Sequence, residues 1–464
     1  MPNNDVSNGL KREIGFFTAT ILVMANMIGT GIFTTSGFII QELGSPEVML
    51  LCWIVGGIFA LSGALCYGEL GAMFPLAGGE YVYLRESFGK LMAFLSGWIS
   101  LIVGFSAPIA AATIAFATYF FRAFPNILPT EMNTPLFNSS ILIVTPVTVL
   151  ASVIIIIFSL LHSHSLWFGS RVQNALTLFK LFLIVSFVVG GFLLGKGSLP
   201  RLFDAPKIAS VFSGSFAVSL IFISFAYSGW NAAAYLGSEI KNPARNIPFS
   251  LVAGTFLVML LYLLLNLTYL YALSVPEMSG VLEVGAKAAV SLFGQQVSYF
   301  VVAAIAMGLL SVISAMILAG PRVYYAMARD GVFIKTLAKL REKHQTPAYS
   351  IVLQGIIAIA MAITASFDKL LIYIGFTLSF FAVLTVCGLI ILRRRNHRRH
   401  SAYKTWGYPL TPIIFIVGNL WIIFYSLKDK PLTSAWGLGT IAVGCLVYLF
   451  ISQRAKLKQG NRDS

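Results

Sequence analysis

Two short stretches place glycine and hydroxyl residues in the middle of long apolar runs. The first is Gly29-Thr30-Gly31-Ile32-Phe33. The second is Phe225-Ala226-Tyr227-Ser228-Gly229-Trp230-Asn231. Glycines on either side of Thr30 weaken a helix and let its backbone open. The second half of an opened helix starts with free N–H groups, which carry partial positive charge and suit a carboxylate. The first half ends in free carbonyls, which suit an ammonium group. Backbone alone thus meets both ends of a zwitterionic amino acid. In the second stretch Phe225, Tyr227 and Trp230 can cap a pocket and exclude water, while Ser228 and Asn231 need polar partners at that depth. A lone GxG in an apolar helix reads as helix packing. Two interruptions in corresponding places point instead to a binding site.

A third feature is Lys180. It lies about eight residues into its apolar run, roughly 12 Å from the start of a helix. An ionisable group buried there is costly and usually functional. The alternative is a side chain that snorkels to the interface, but Arg171 already marks that interface.

The elements that hold these residues follow from composition. Hydrophobic residues make up 58% of the 464 and charged residues 11%, with a mean hydropathy of +0.84. Soluble domains run near a quarter charged. A soluble enzyme, a nucleic-acid binder and a disordered chain are therefore excluded as first readings. The sequence predicts an all-α membrane protein. Twelve apolar runs lie near 14–41, 47–74, 91–121, 140–161, 172–194, 211–238, 248–273, 296–321, 348–366, 370–392, 409–427 and 434–452. With the N-terminus inside, 23 of the 32 Lys and Arg fall on the inner side, which predicts cytoplasmic termini. This bias explains the net charge of +15 without nucleic acid. The first run continues too far to be a cleaved signal. The two interruptions open runs one and six. An odd spacing of five turns the second set over in the bilayer, giving repeats over 1–194 and 211–392, with 409–452 outside them.

Further along, five segments resemble the amino acid–polyamine–organocation (APC) superfamily, and within it the L-type amino acid transporter branch. They are Gly29 to Phe33, the stretch FAYSGWNAAAYLGSEIKNPARNIP from Phe225 to Pro248, YGELGAMFPLAGGEYVYL at 67–84, RVQNALTLFK at 171–180 and PRVYYAMARDG at 321–331. The resemblance implies a LeuT-type fold of 5+5 inverted repeats plus two helices, with helices 1 and 6 broken. It implies transport by alternating access; a membrane-embedded enzyme is the lesser reading, since no nucleophile–base or metal constellation stands out. The substrate carboxylate would sit on Thr30, Gly31 and Ile32, with Met27 and Ile28 just before them. The amine would sit on carbonyls near Met27, Phe225 and Ser228, and Phe225 would close over the substrate. Tyr227, Trp230 and Asn231 would form the gate or pocket. Many L-type members carry two glycines where this chain has Ser228-Gly229, which favours small neutral substrates such as alanine or serine. Lys180 would stand where sodium sits in sodium-coupled relatives and hold the first-helix break, with Ser311 and Ser314 as candidate partners, so transport would be sodium-independent exchange.

A proton-coupled symporter with Lys180 as the titrating group is the alternative. A non-transporting amino-acid sensor is the alternative of another class, disfavoured by short termini. Glu69 and Glu239 lie near inner span ends, and no carboxylate falls at a span centre, which disfavours a pocket for a cationic side chain. His162 and His164 have metal-like spacing, but no acidic or cysteine partner lies nearby, and they read as an interfacial loop. No metal or cofactor is expected. The four cysteines lie in apolar runs and read as packing residues. Some relatives join a heavy chain through a cysteine between helices 3 and 4. Residues 122–139 contain none, so no disulfide-linked partner is expected. The expected partners are an amino acid and membrane lipids in the plasma (inner) membrane. The basic run from Arg393 anchors the topology on the inner side.

Overall fold

The computed structural model describes residues 12–124, 127, 135–138, 143–164, 166–199, 213–281, 283–341, 346–364, 367–395, 402–429 and 431–460. The chain is almost wholly helical. Helices α1 (Phe16–Met27) and α2 (Thr30–Leu43) lead into α3 (Pro46–Met73) and the short α4 (Glu80–Phe88). Then come α5 (Lys90–Ile99) and α6 (Ala107–Ala123), joined by a π-helical turn over Ser100–Ser106. A two-residue hairpin, β1 (Phe137–Asn138) with β2 (Ile143–Val144), precedes α7 (Pro146–His164) and α8 (Leu166–Leu194). Next are α9 (Gly214–Tyr227), α10 (Ala232–Tyr235), α11 (Pro243–Ala272), α12 (Val275–Met278) and α13 (Val284–Phe293). The remainder is α14 (Gln295–Ala319), α15 (Pro321–Arg329), α16 (Ala348–Thr364), α17 (Phe367–Arg395), α18 (Leu410–Asp429) and α19 (Pro431–Gly460).

Local chemistry sets these boundaries. The hydroxyl of Ser45 accepts from Val48 N and Pro46 opens the first turn, so α3 begins two residues after the left-handed Gly44 that ends α2. Ser213 caps α9 through Phe216 N, and Ser274 with Glu277 forms a capping box on α12. Hydroxyls inside apolar helices bond back one turn: Thr34 donates to Thr30 O and Thr35 to Gly31 O. Such bonds let polar side chains stay in hydrocarbon.

Among the described residues, nine helices are long and apolar enough to cross a membrane, or ten if α1 and α2, bent by 42° at their junction, count as one span. The twelve predicted runs are thus not all long helices. The run near 211–238 yields α9, which stops at Tyr227, and the run near 348–366 yields the 17-residue α16. Both are apolar but short. A belt of exposed apolar side chains, including Phe182, Val189, Phe424 and Leu446, faces outward. In water such a surface would drive association, and in lipid it is the contact surface. The multi-pass membrane assignment follows.

The α1–α2 and α9–α10 pairs lie inside this shell. α1 packs on α11 and α14, α2 on α9, and α3 on α11 and α9.

Candidate binding site at the two helix breaks

Helix α1 stops at Met27 and α2 starts at Thr30, with Gly29 extended at the junction. Thr30, Gly31 and Ile32 are the first residues of α2, so their N–H groups lack an intrahelical carbonyl. The facing break lies between Tyr227 and Ala232. Ser228 is extended there and Gly229 adopts φ +93°, a conformation that side chains avoid. Ser228 N bonds Phe225 O at 2.9 Å, and Ala232 N bonds Gly229 O at 3.0 Å, which closes the turn.

The two breaks touch. A Cβ on Gly31 would lie 2.6 Å from Ala226 Cα. Glycine here is required by the approach of α2 to α9. A bulky residue at Gly31 would therefore push the two helices apart.

Met27, Thr30, Gly31, Phe225 and Ser228 line one cavity of about 20 Å³. Tyr227, Ser228, Trp230 and Asn231 line a second, of about 90 Å³. The walls share Asn26, Ser228 and Met316, so the cavities are neighbours. Ile28 and Ile32 line neither: both side chains are buried in the core. Tyr227 donates to Trp53 O at 3.2 Å. The ring of Trp230 meets Tyr67 edge-on at 4.7 Å and Phe415 at 5.8 Å.

Lys180 is 1% exposed and does not snorkel. Its Nζ donates to Ala25 O at 3.2 Å and to Ile28 O at 2.5 Å. The last carbonyls of α1 are thereby held by an ammonium group, and Ile28 O is already taken. Lys180 thus reaches the first break as expected, but neither Ser311 nor Ser314 bonds it. Ser311 donates to Gly308 O in its own helix, and Ser314 bonds His162 Nε2 at 2.8 Å. Bonding to its own turn satisfies Ser311 without Lys180. His162 is likewise not in an interfacial loop. It is buried in α7, where Ser314 provides its partner.

Two residues escaped the sequence reading. Tyr262 of α11 donates towards Met27 O at 2.6 Å and Ala226 O at 2.9 Å, so one hydroxyl spans both breaks. The only signal was a tyrosine in an apolar run, which is hard to tell from packing. The other is Glu80. It is 6% exposed and lines the larger cavity, where Tyr67 OH donates to its Oε1 at 2.6 Å and Asn231 Nδ2 at 2.9 Å. Its distance in sequence from either break concealed it.

Ion pairs ring the side on which Ile14 pairs with Ile240. Arg322 binds both carboxylate oxygens of Glu239, at 3.0 and 3.2 Å, with both side chains buried. Arg393 grips both oxygens of Glu69, and Thr405 adds its N–H and hydroxyl at 2.8 and 2.7 Å. Arg85 and Tyr81 share Asp330.

A further cavity, about 390 Å³, lies between α8, α13 and α14 and touches the Lys180 stem. Phe187, Phe293 and Ile305 typify its walls. It offers a zwitterion no paired polar ends, so the breaks remain the candidate site.

The amino acid permease family model matches residues 14–452. The chain belongs to that family. It is a member of the APC superfamily. Its relatives are transporters, not enzymes. It is 28% identical to the mouse large neutral amino acids transporter small subunit 2, over 96% of this chain and 83% of that one. It is 29% identical to the mouse b(0,+)-type amino acid transporter 1, over 93% and 85%. It is also 29% identical to the serine/threonine exchanger SteT of Bacillus subtilis (strain 168), over 96% and 98%. This permease is thus similar to transporters of amino acids along nearly its whole length.

Proposed function

We propose that this permease exchanges small neutral L-amino acids across the plasma membrane, without sodium, by alternating access. The observation that carries this reading is the Lys180 ammonium on the carbonyls of Ala25 and Ile28. The ammonium form of Lys180 would place a positive charge beside the break, where a sodium-coupled carrier needs a bound cation. The free N–H groups of Thr30, Gly31 and Ile32 receive the substrate carboxylate. Carbonyls near Met27, Phe225 and Ser228 receive its amine, and Tyr262 holds the breaks in register. Phe225 closes the site, with Tyr227, Trp230 and Asn231 as its wall.

In this reading α1 and α2 form one broken span and α9 and α10 another. Residues 1–194 and 211–392 are inverted repeats, 409–452 add two spans, and the termini are cytoplasmic. The permease works without a disulfide-linked heavy chain. The similarity to a serine/threonine exchanger supports both exchange and small substrates.

The test is uptake of labelled alanine, serine or leucine into proteoliposomes. Vesicles are empty or preloaded with unlabelled amino acid, with and without sodium and a pH gradient. Uptake only into preloaded vesicles, indifferent to sodium, is the expected result. Sodium dependence overturns the role given to Lys180. Uptake into empty vesicles driven by protons makes the chain a symporter.

A further inference from the structure

Glu80 stands at the start of α4, in the connection between the spans α3 and α5. The turn before it is pinned to the far side of the second break: Gly78 N bonds Tyr235 O at 3.0 Å, and Ala77 bridges to Leu236. That contact delivers the carboxyl to Asn231 and to the cavity wall shared with Ser228. Both hydrogen bonds fall on Oε1. Among the described residues, none donates to Oε2.

A buried carboxyl is stable only when its charge is offset or its lone pairs are filled. The ionisable groups facing Glu80 are the phenols of Tyr67, Tyr83 and Tyr235, on α3, α4 and α10. The guanidiniums of Arg322 and Arg393 are held by Glu239 and Glu69. No cation among the described residues offsets it, and burial pushes the Glu80 carboxyl up to about 7. The site therefore holds an acceptor without a donor, next to the cavity that receives the substrate side chain.

We propose that Glu80 is a side-chain subsite whose free carboxylate oxygen takes a hydrogen bond from the transported amino acid, so that side chains bearing a hydroxyl are preferred over aliphatic ones of the same shape. The inference rests on the reading of the chain as an amino-acid exchanger, and deepens it. Asn231 and Tyr67 orient the carboxyl, and the substrate hydroxyl completes it. Hydrogen bonds to charged groups discriminate by roughly ten- to a hundredfold.

Threonine and valine differ by this hydroxyl and are nearly isosteric. Their half-inhibitory concentrations against labelled exchange in preloaded proteoliposomes give the ratio needed. The wild type is expected to prefer threonine by about tenfold or more. Glu80→Leu is expected to bring the ratio towards one, and Glu80→Gln, which keeps an acceptor without the charge, to retain part of it. The wild type supplies a second readout that needs no variant. The carboxyl gains charge as pH rises through about 7, so the preference for threonine grows between pH 6 and pH 8. A wild-type ratio of one, a ratio flat with pH, or an active Glu80→Leu that still prefers threonine overturns the proposal. Exchange with a ratio of one refutes the subsite alone. No exchange of any amino acid refutes the exchanger reading, and the subsite with it.

Discussion

The two helix breaks and the charged rim on the Ile14 side solve the same problem with opposite chemistry. At the breaks, the groups offered to a ligand are backbone N–H and C=O, and one lysine and one tyrosine hold them. At the rim, whole charges are paired: Arg322 with Glu239, Arg393 with Glu69 and Arg85 with Asp330. Backbone dipoles bind a zwitterion without leaving a naked charge when it departs. Solvated ion pairs contribute little, whereas a buried charge is costly once its partner is removed, so paired charges can part into water and must meet again when dry. On the proposed function, binding would fall to the breaks and closure to the rim.

The rim carries the largest expected effect. Glu239→Ala leaves Arg322 buried, 1% exposed, without its counter-charge. Stranding one member of a buried pair costs about 3–5 kcal/mol. The thermal midpoint of the purified protein is expected to fall sharply, and the double variant Glu239→Met with Arg322→Met is expected to recover most of it. If the single variant melts like the wild type, the pair is not a latch and the contrast with the breaks fails.

At the breaks the expected loss is functional. Lys180→Ala removes the donor to Ala25 O and Ile28 O, each bond to a charged group being worth about 1.5–3 kcal/mol. Exchange is expected to fall by at least tenfold, while the melting point moves less than in Glu239→Ala. A fully active Lys180→Ala would place the ammonium outside the binding machinery.

How much of this was legible in the sequence depends on how far a residue's partner lay along the chain. The breaks were legible because Gly29, Gly31 and Gly229 interrupt apolar runs locally, and helices do end at Met27 and Tyr227. The burial of Lys180 was legible from its depth in α8. Its hold on the first break was legible too, but not which carbonyls it takes, and Ser311 and Ser314 bond Gly308 O and His162 instead of Lys180. Tyr262 and Glu80 were illegible. One lies 235 residues from Met27 and the other 151 from Asn231, so only the fold brings them to the breaks. Hydropathy located the apolar runs but not the turns inside them, so the runs near 211–238 and 348–366 hold helices shorter than the rest.

Tyr262→Phe sharpens the binding side. The hydroxyl reaches Met27 O and Ala226 O at once, so its loss uncouples α1 from α9 without changing shape. A net loss of about 1 kcal/mol per hydrogen bond is expected. It should read as a severalfold rise in the KM for exchange with little change in melting. Unchanged KM would mean that the breaks keep their register by packing, through the close contact at Gly31 and Ala226.

The smallest effect is expected at Ser311. Its hydroxyl bonds Gly308 O within α14 and takes no part in the Lys180 contacts. Ser311→Ala removes one bond from a helix whose backbone is already satisfied, so exchange and sodium response are expected to stay within about twofold of wild type. The same measurement in Lys180→Ala gives the scale. A large loss in Ser311→Ala would show that the ammonium leaves the α1 carbonyls for α14 at another stage of the cycle. The breaks would then hold their charge by exchange between two partners, whereas the rim holds its charges in fixed pairs. An unaffected Ser311→Ala leaves the lysine fixed to α1, so that the difference between the two regions is one of chemistry alone.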